Sequence, residues 1–178
     1  MASLSKNWAL QSIPPISDRI SQLLSTVGDG SGITEMASAT INEYIYKPAS
    51  GTVAILERAL ITIEDATIFA ANKYGGVTAL TNGLSVTLKD GNDATIHNFS
   101  PNAIKKTYHW GLMAGSDVTP EAFAAGADRV VIRWTFTKGG YPLVINGDKG
   151  EYFSVNVTDD LSGLVSHLIQ IQGYKAVN

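Results

Sequence analysis

Arg129-Val130-Val131-Ile132-Arg133-Trp134-Thr135-Phe136-Thr137 sets Val130, Ile132, Trp134 and Phe136 on one side of an extended chain and Arg129, Arg133, Thr135 and Thr137 on the other. A two-residue period with one apolar face is the pattern of a half-buried strand. Beyond Gly139-Gly140 comes the apolar run Pro142 to Ile145, followed by the turn Asn146-Gly147-Asp148-Lys149-Gly150. Tyr152 to Thr158 repeats the alternation with Phe153, Val155 and Val157 inward, and after Asp159-Asp160-Leu161-Ser162-Gly163 the run Val165 to Gln172 repeats it once more. Strand patterns divided by Gly-rich turns predict an antiparallel β unit from Arg129 to Tyr174.

Working outward, Thr52 to Asp65 reads as a long strand in which Glu57-Arg58 breaks the alternation. A β-bulge there would restore the register. Leu84 to Lys89, with Leu84, Val86 and Leu88 inward, runs into Asp90-Gly91-Asn92-Asp93, and Ala94 to Phe99 returns. Asp-Gly at that point predicts a tight primed hairpin turn. Ile41 to Tyr46 is a further strand, stopped by Pro48, while Asn72 to Asn82 reads as a loop. Pro101 to Ala127 is irregular, with a single helical turn expected at Pro120 to Ala125.

The front of the chain differs. Pro14-Pro15 cannot lie inside a helix, so Met1 to Pro15 reads as an extended arm carrying Trp8 and Ile13. Ile16, Ile20, Leu23, Leu24 and Val27 then recur at helical spacing behind Ser17 and Asp18, and Gly28 closes the pattern. Asp29-Gly30-Ser31-Gly32 reads as a flexible connector; no strand precedes it and no Gly-Lys-Ser/Thr accompanies it, which argues against a phosphate-cradling loop. About eight or nine evenly spaced strands must bury one face against another sheet. The expectation is an all-β chain: an antiparallel β-sandwich of jelly-roll type with an N-terminal extended arm and one short helix. Residues 1–32 would hold the arm, helix and Gly-rich connector, and residues 33–178 the sandwich.

At 178 residues the chain can bury about 70% of its unfolded surface in one domain. Apolar residues make up 44%, which argues against disorder. The formal net charge of −3, from 13 basic and 16 acidic residues, shows no basic stripe for nucleic acid. Cysteine is absent, so thiolate catalysis, thiolate metal sites and disulfides are excluded. No stretch approaches the roughly 18 apolar residues of a spanning helix, nor does the N-terminus show a secretory signal. A soluble protein made in the cytoplasm of its producing cell is expected, without membrane or nucleic-acid partners.

The reactive side chains form no constellation along the sequence. His97, His109 and His167 lie at no ligand spacing, and His167, on the same face as Ile169 and Ile171, reads as a hydrogen-bonded histidine at the edge of the core. Asp90 with Asp93, Asp148 with Glu151, and Asp159 with Asp160 sit in turns, where short acidic pairs act as turn formers; none follows an EF-hand pattern. No nucleophile elbow or Ser-x-x-Lys set is present. The expectation is therefore no catalytic residue, no metal and no cofactor. Tyr44, Tyr46, Tyr74, Tyr108, Trp110, Tyr141 and Tyr152 read as core and sheet-edge aromatics, with a sugar-stacking face as the alternative. Arg129 and Arg133 project outward from their strand, as candidates for surface contact with a partner carboxylate.

Five stretches give the chain a likeness: Ile13-Pro14-Pro15 with the pattern that follows it, Gly28-Asp29-Gly30-Ser31-Gly32, Arg133-Trp134-Thr135-Phe136, Asp159-Asp160-Leu161-Ser162-Gly163-Leu164, and Gln172-Gly173-Tyr174. Over residues 13–174 the chain resembles virion structural proteins of tailed bacteriophages, in particular the small jelly-roll cement or decoration proteins of the capsid. The resemblance implies a catalytically inert protein, located in the virion after assembly in the host cytoplasm. It also implies a partner, the major capsid protein or another virion protein, and a homo-oligomer with a trimer favoured. Trp8, Ile13, Ile16, Ile20, Leu23 and Leu24 would then supply apolar contact to that partner. A neck or tail component, or a carbohydrate-binding β-sandwich module, are the alternatives.

Overall fold

A computed structural model of the chain describes residues 19–38, 42–65, 73–74, 77–78, 84–99, 116–122, 128–136, 142–157 and 159–177. The strands are β1 (Arg19–Leu23), β2 (Asn42–Tyr46), β3 (Thr52–Asp65), β4 (Lys73–Tyr74), β5 (Val77–Thr78), β6 (Leu84–Lys89), β7 (Thr95–Asn98), β8 (Ser116–Ala122), β9 (Asp128–Thr135), β10 (Leu143–Asn146), β11 (Tyr152–Val157) and β12 (Ser166–Val177). A 3-10 turn at Gly147–Lys149 separates β10 from β11. Among the described residues the structure is all-β, with almost no helix.

Two antiparallel sheets hold the core. The larger runs β1-β12-β3-β9-β8, with β10 on the first half of β3, and the smaller runs β2-β11-β6-β7. β4 and β5 make a separate two-stranded ribbon where a loop was expected. Alternation assigns the inner faces: Ala54, Leu56, Ile61, Ile63, Trp134, Ile169 and Ile171 from the larger sheet meet Tyr44, Val86, Leu88, Phe153, Val155 and Val157 from the smaller. At one end Phe99, Trp134, Phe136 and Phe153 interlock, with Phe99 edge-on to Trp134 at 5.3 Å and Phe136 edge-on to Phe153 at 5.9 Å. The void left beside Trp134, Phe153 and Ile169 is about 10 Å³, too small for a ligand.

The bulge expected in β3 is present. β12 pairs Gln172 with Arg58 and Gly173 with Leu56, so Glu57 is the extra residue, and inward positions pass from the even numbers 54 and 56 to the odd numbers 59, 61 and 63. Gly173 lies in the crowded part of this step, where a Cβ would collide with the Ile55 carbonyl oxygen.

The short helix is a correction. Residues Arg19–Leu23 form β1, pairing from Arg19 opposite Tyr174 to Leu23 opposite Gln170. Positions four apart share a face in a strand as well as in a helix, so Ile20 and Leu24 are buried under either period. Leu23 and Val27 discriminate: Leu23 lies only partly buried and Val27 is 55% exposed. β1 also joins the two sheets. The Leu24 amide donates to Ile169 of the larger sheet, and the next residue, Ser25, bridges Ile45 of the smaller one. Segment 1–32 thus contributes β1, Leu24 and Ser25 to the body itself.

Two further expectations change. Pro120 to Ala122, read as part of a helical turn, belong to β8, an edge strand, where a proline costs no ladder bond on its open side. The β6–β7 hairpin is not closed by a primed turn: the left-handed residue is Asp93 (φ 65°), whose amide donates to the Asp90 carbonyl. The Asp90 carboxylate accepts from the amides of Asn92 and Ala94 and so holds the loop between the two strands.

Candidate functional site

Three polar constructions stand out among the described residues. The first is a seam beside β12. β1 ends at Leu23, leaving the outer edge of β12 uncovered further along, and Glu35-Met36 takes its place. The Met36 amide donates to the His167 carbonyl, and the Glu35 carboxylate accepts from the His167 amide at 2.7 Å, the Ala37 amide at 2.9 Å and the Ser166 hydroxyl at 2.8 Å. The Tyr44 hydroxyl donates to the Glu35 carbonyl. The His167 side chain is fully buried. Burial pushes its pKa down to about 4, and the nearby Glu35 carboxylate raises it only in part. The ring is therefore neutral near pH 7, a buried core histidine rather than one at the core's edge.

The second lies on the outer face of the smaller sheet. Glu43 accepts from the Lys89 ammonium at 2.6 Å and from the Ser154 hydroxyl. The Tyr152 hydroxyl donates to Asp93 at 2.6 Å, and the ammonium groups of Lys47 and Lys89 stand 5.8 and 5.6 Å from the Tyr152 ring centre. Burial, the Asp93 bond and the surrounding carboxylates all raise the Tyr152 pKa. Serine beside a glutamate and a lysine has the ingredients of a nucleophile with a base, but Ser154 is fully buried and out of a substrate's reach.

The third is an open cleft of about 520 Å³ lined by Gln22 of β1, Tyr46 and Lys47 at the end of β2, the following turn Pro48-Ala49-Ser50, and Lys175 of β12, with Gly28 and Asp29 on its rim. The glycine run expected as a flexible connector is a bonded loop here. Gly28 donates to Ser25 Oγ, its carbonyl accepts from the Lys47 amide and from Gln22 Nε2, and Asp29 accepts from both the amide and hydroxyl of Ser31. The Ser31 bonds hold the Asp29 carboxyl below the usual carboxylate range. Gly28 has φ +92°, and a Cβ there would press on Ile45 at 2.9 Å. Tyr46 is 2% exposed, its hydroxyl has no hydrogen-bond partner among the described residues, and burial raises its pKa to about 12.

No family model, curated protein or solved structure matches the chain.

Of the residues assigned to partner contact, Ile20 and Leu24 lie in the chain's own core and Leu23 is half-buried on the outer side of β1. Trp8, Ile13 and Ile16 lie outside the described residues. Register places Arg129 opposite Glu64 and Glu121, and Arg133 opposite Leu60 and Asp117. Arg133 is exposed. Among the candidate sugar-stacking aromatics, Tyr44, Tyr46 and Tyr152 are buried and offer no ring face to solvent. The side chains of Tyr74, Tyr108, Trp110 and Tyr141 lie outside the described residues. Among the described residues no three His, Asp or Glu side chains gather as a metal site, and no helix is long and apolar enough to cross a membrane. Glu35 carried no sequence signal, because Ser166 and His167 come from the far end of the chain.

Proposed function

We propose that this chain is a non-enzymatic virion structural protein: a jelly-roll body that cements an assembled capsid lattice, held there as a homo-oligomer, with a trimer favoured. The strand order carries the reading. Taking β1, β2, β3, β6, β7, β9, β11 and β12 as the eight strands of a roll, one sheet reads first-eighth-third-sixth and the other second-seventh-fourth-fifth. That interleaving is what two successive Greek keys wound into facing sheets produce. β8 and β10 extend the larger sheet beyond it.

Cementing works by mass action, since a ligand that binds the assembled lattice better than free subunits stabilises the lattice. Lattice symmetry repeats each weak contact. The contact segment in this reading is residues 1–18, with Trp8, Ile13 and Ile16; Ile20 and Leu24 support it from within the body by holding β1 in place. The exposed Arg19 joins that segment to the domain at a sheet edge.

The test is truncation followed by co-sedimentation with assembled capsids of the encoding phage. Removing residues 1–18 should leave a cooperatively folded body that no longer pellets with the particles. Removing residues 1–28 takes β1 and Leu24 as well and should unfold the body. Full occupancy by the shorter truncation, or no co-sedimentation of the intact chain, overturns the reading. Copy number separates lattice from tail, a lattice protein being present on the order of hundreds per particle and a neck or tail protein in tens or fewer.

A further inference from the structure

We propose that the open edge of β1 pairs antiparallel with β1 of a second copy, about a two-fold axis at Ser21, and so joins the larger sheets of two copies into one. Successive residues of a strand send their amide and carbonyl to opposite sides. The Leu24 amide donates to Ile169 of β12, while Ser25 exchanges both of its backbone bonds with Ile45 of β2 on the other side. By that alternation Ile20 and Gln22 face β12. Arg19, Ser21 and Leu23 turn their amides and carbonyls outward, where no strand meets them among the described residues.

A row of unpaired backbone groups is a template for another chain, and folded proteins blunt such edges. The other edges of the two sheets are blunted. β7 carries a bulge, since Leu88 pairs with His97 and Lys89 with Thr95, which leaves Ile96 as the extra residue. β8 contains Pro120. On β2 the outward amide of Ile45 donates to Ser25, and just beyond the strand the Lys47 amide donates to Gly28. On β10 the Asn146 amide donates to the Glu151 carboxylate and its carbonyl accepts from the Glu151 amide. β1 has no proline, lysine or bulge, and its 5 residues give it the usual length of a strand.

Its side chains suit a second copy. With Ser21 on the axis, Arg19 lies opposite the partner's Leu23, and hydroxyl meets hydroxyl at the centre, a pairing that sheets favour. Arg19 is the one charge on the strand, and this register sets it four positions away from the partner's Arg19, with its aliphatic stem over a half-buried leucine. About six backbone bonds form, two for each outward pair. The contact is isologous, separate from a three-fold contact of the trimer, and it does not depend on the capsid reading. So short a contact buries far less than a stable dimer needs, which places its affinity in the millimolar range and lets repetition in an assembly strengthen it.

The full chain has no cysteine, so cysteines introduced singly report the pairing through disulfide formation under a mild oxidant. Paired residues at the axis stand about 5.5 Å apart between Cα atoms, within the span a disulfide bridges. Ser21→Cys should therefore cross-link copies several times faster than Arg19→Cys or Leu23→Cys alone, whose like positions lie more than about 13 Å apart. Mixing the Arg19→Cys and Leu23→Cys chains should restore rapid cross-linking. Adding Ser21→Pro to both should abolish it with the unfolding midpoint held, because the amide it removes lies outside the β12 ladder. Equal rates for all single variants, or cross-linking that survives Ser21→Pro, overturns the proposal. No Ser21→Cys dimer from a folded chain also overturns it and leaves the edge to a strand from a different protein.

Discussion

Glu35 and Glu43 each gather several donors, yet they do different work. Glu35 satisfies two backbone amides and a hydroxyl where β12 has lost its neighbour strand, next to a buried neutral histidine. Glu43 holds an ammonium and a hydroxyl on the outer face of the smaller sheet, where the side chains of Lys89 and Glu43 keep 20% and 35% of their exposure. Both carboxylates are partly buried, so what differs is the partner: backbone amides at the open edge of a ladder at the first site, a half-exposed ammonium at the second. The difference teaches that position decides whether a carboxylate is structural: one that completes a ladder is hard to replace, and one that pairs with a half-exposed charge is not.

The strongest way to break the comparison is Glu35→Ala. It leaves the His167 and Ala37 amides and the Ser166 hydroxyl without their acceptor, and should lower stability by about 3 kcal/mol or more in urea unfolding at pH 7. A loss no larger than that from removing the Lys89 charge would erase the distinction.

Acid sharpens it on the same side of the molecule. The folded-state pKa of His167 is about 4, below the ordinary 6.5, so between those values the unfolded chain binds a proton that the folded chain refuses. Stability is unaffected by this group above the ordinary value, and falls as pH drops from 6.5 toward 4, by roughly 3 kcal/mol across that window. His167→Gln should flatten that slope in unfolding curves taken across the window, whatever it does to stability at pH 7. The smallest expected effect is Lys89→Met, below about 1 kcal/mol in the same measurement and further reduced by salt in the parent.

Much of the fold could be read from alternation. β3 and β6 have the bounds the pattern indicates, and the disturbed step at Glu57-Arg58 marks the bulge. β1 was illegible because Ile20 and Leu24 satisfy both periods, and a pairing with β12 from the other end of the chain outweighed helix propensity. β8 was illegible because Pro120 signals a break unless the strand is known to lie at an edge. The polar sites were less accessible still. Glu35 stands in a segment with no period, its acceptor role set by the place where β1 departs, and Lys47 and Lys175 become neighbours only when the sheets face each other.

The hand-over at Leu24 and Ser25 also has a mechanical side. Ladder bonds lie across the strands, so tension drawn along β1 from Arg19 would load its bonds to β12 together, in shear, instead of peeling them one at a time. The bridge to Ile45 then spreads that load into the second sheet. A tug at the front of the chain is thus shared by both layers, the behaviour of a fastener sewn through two thicknesses of cloth.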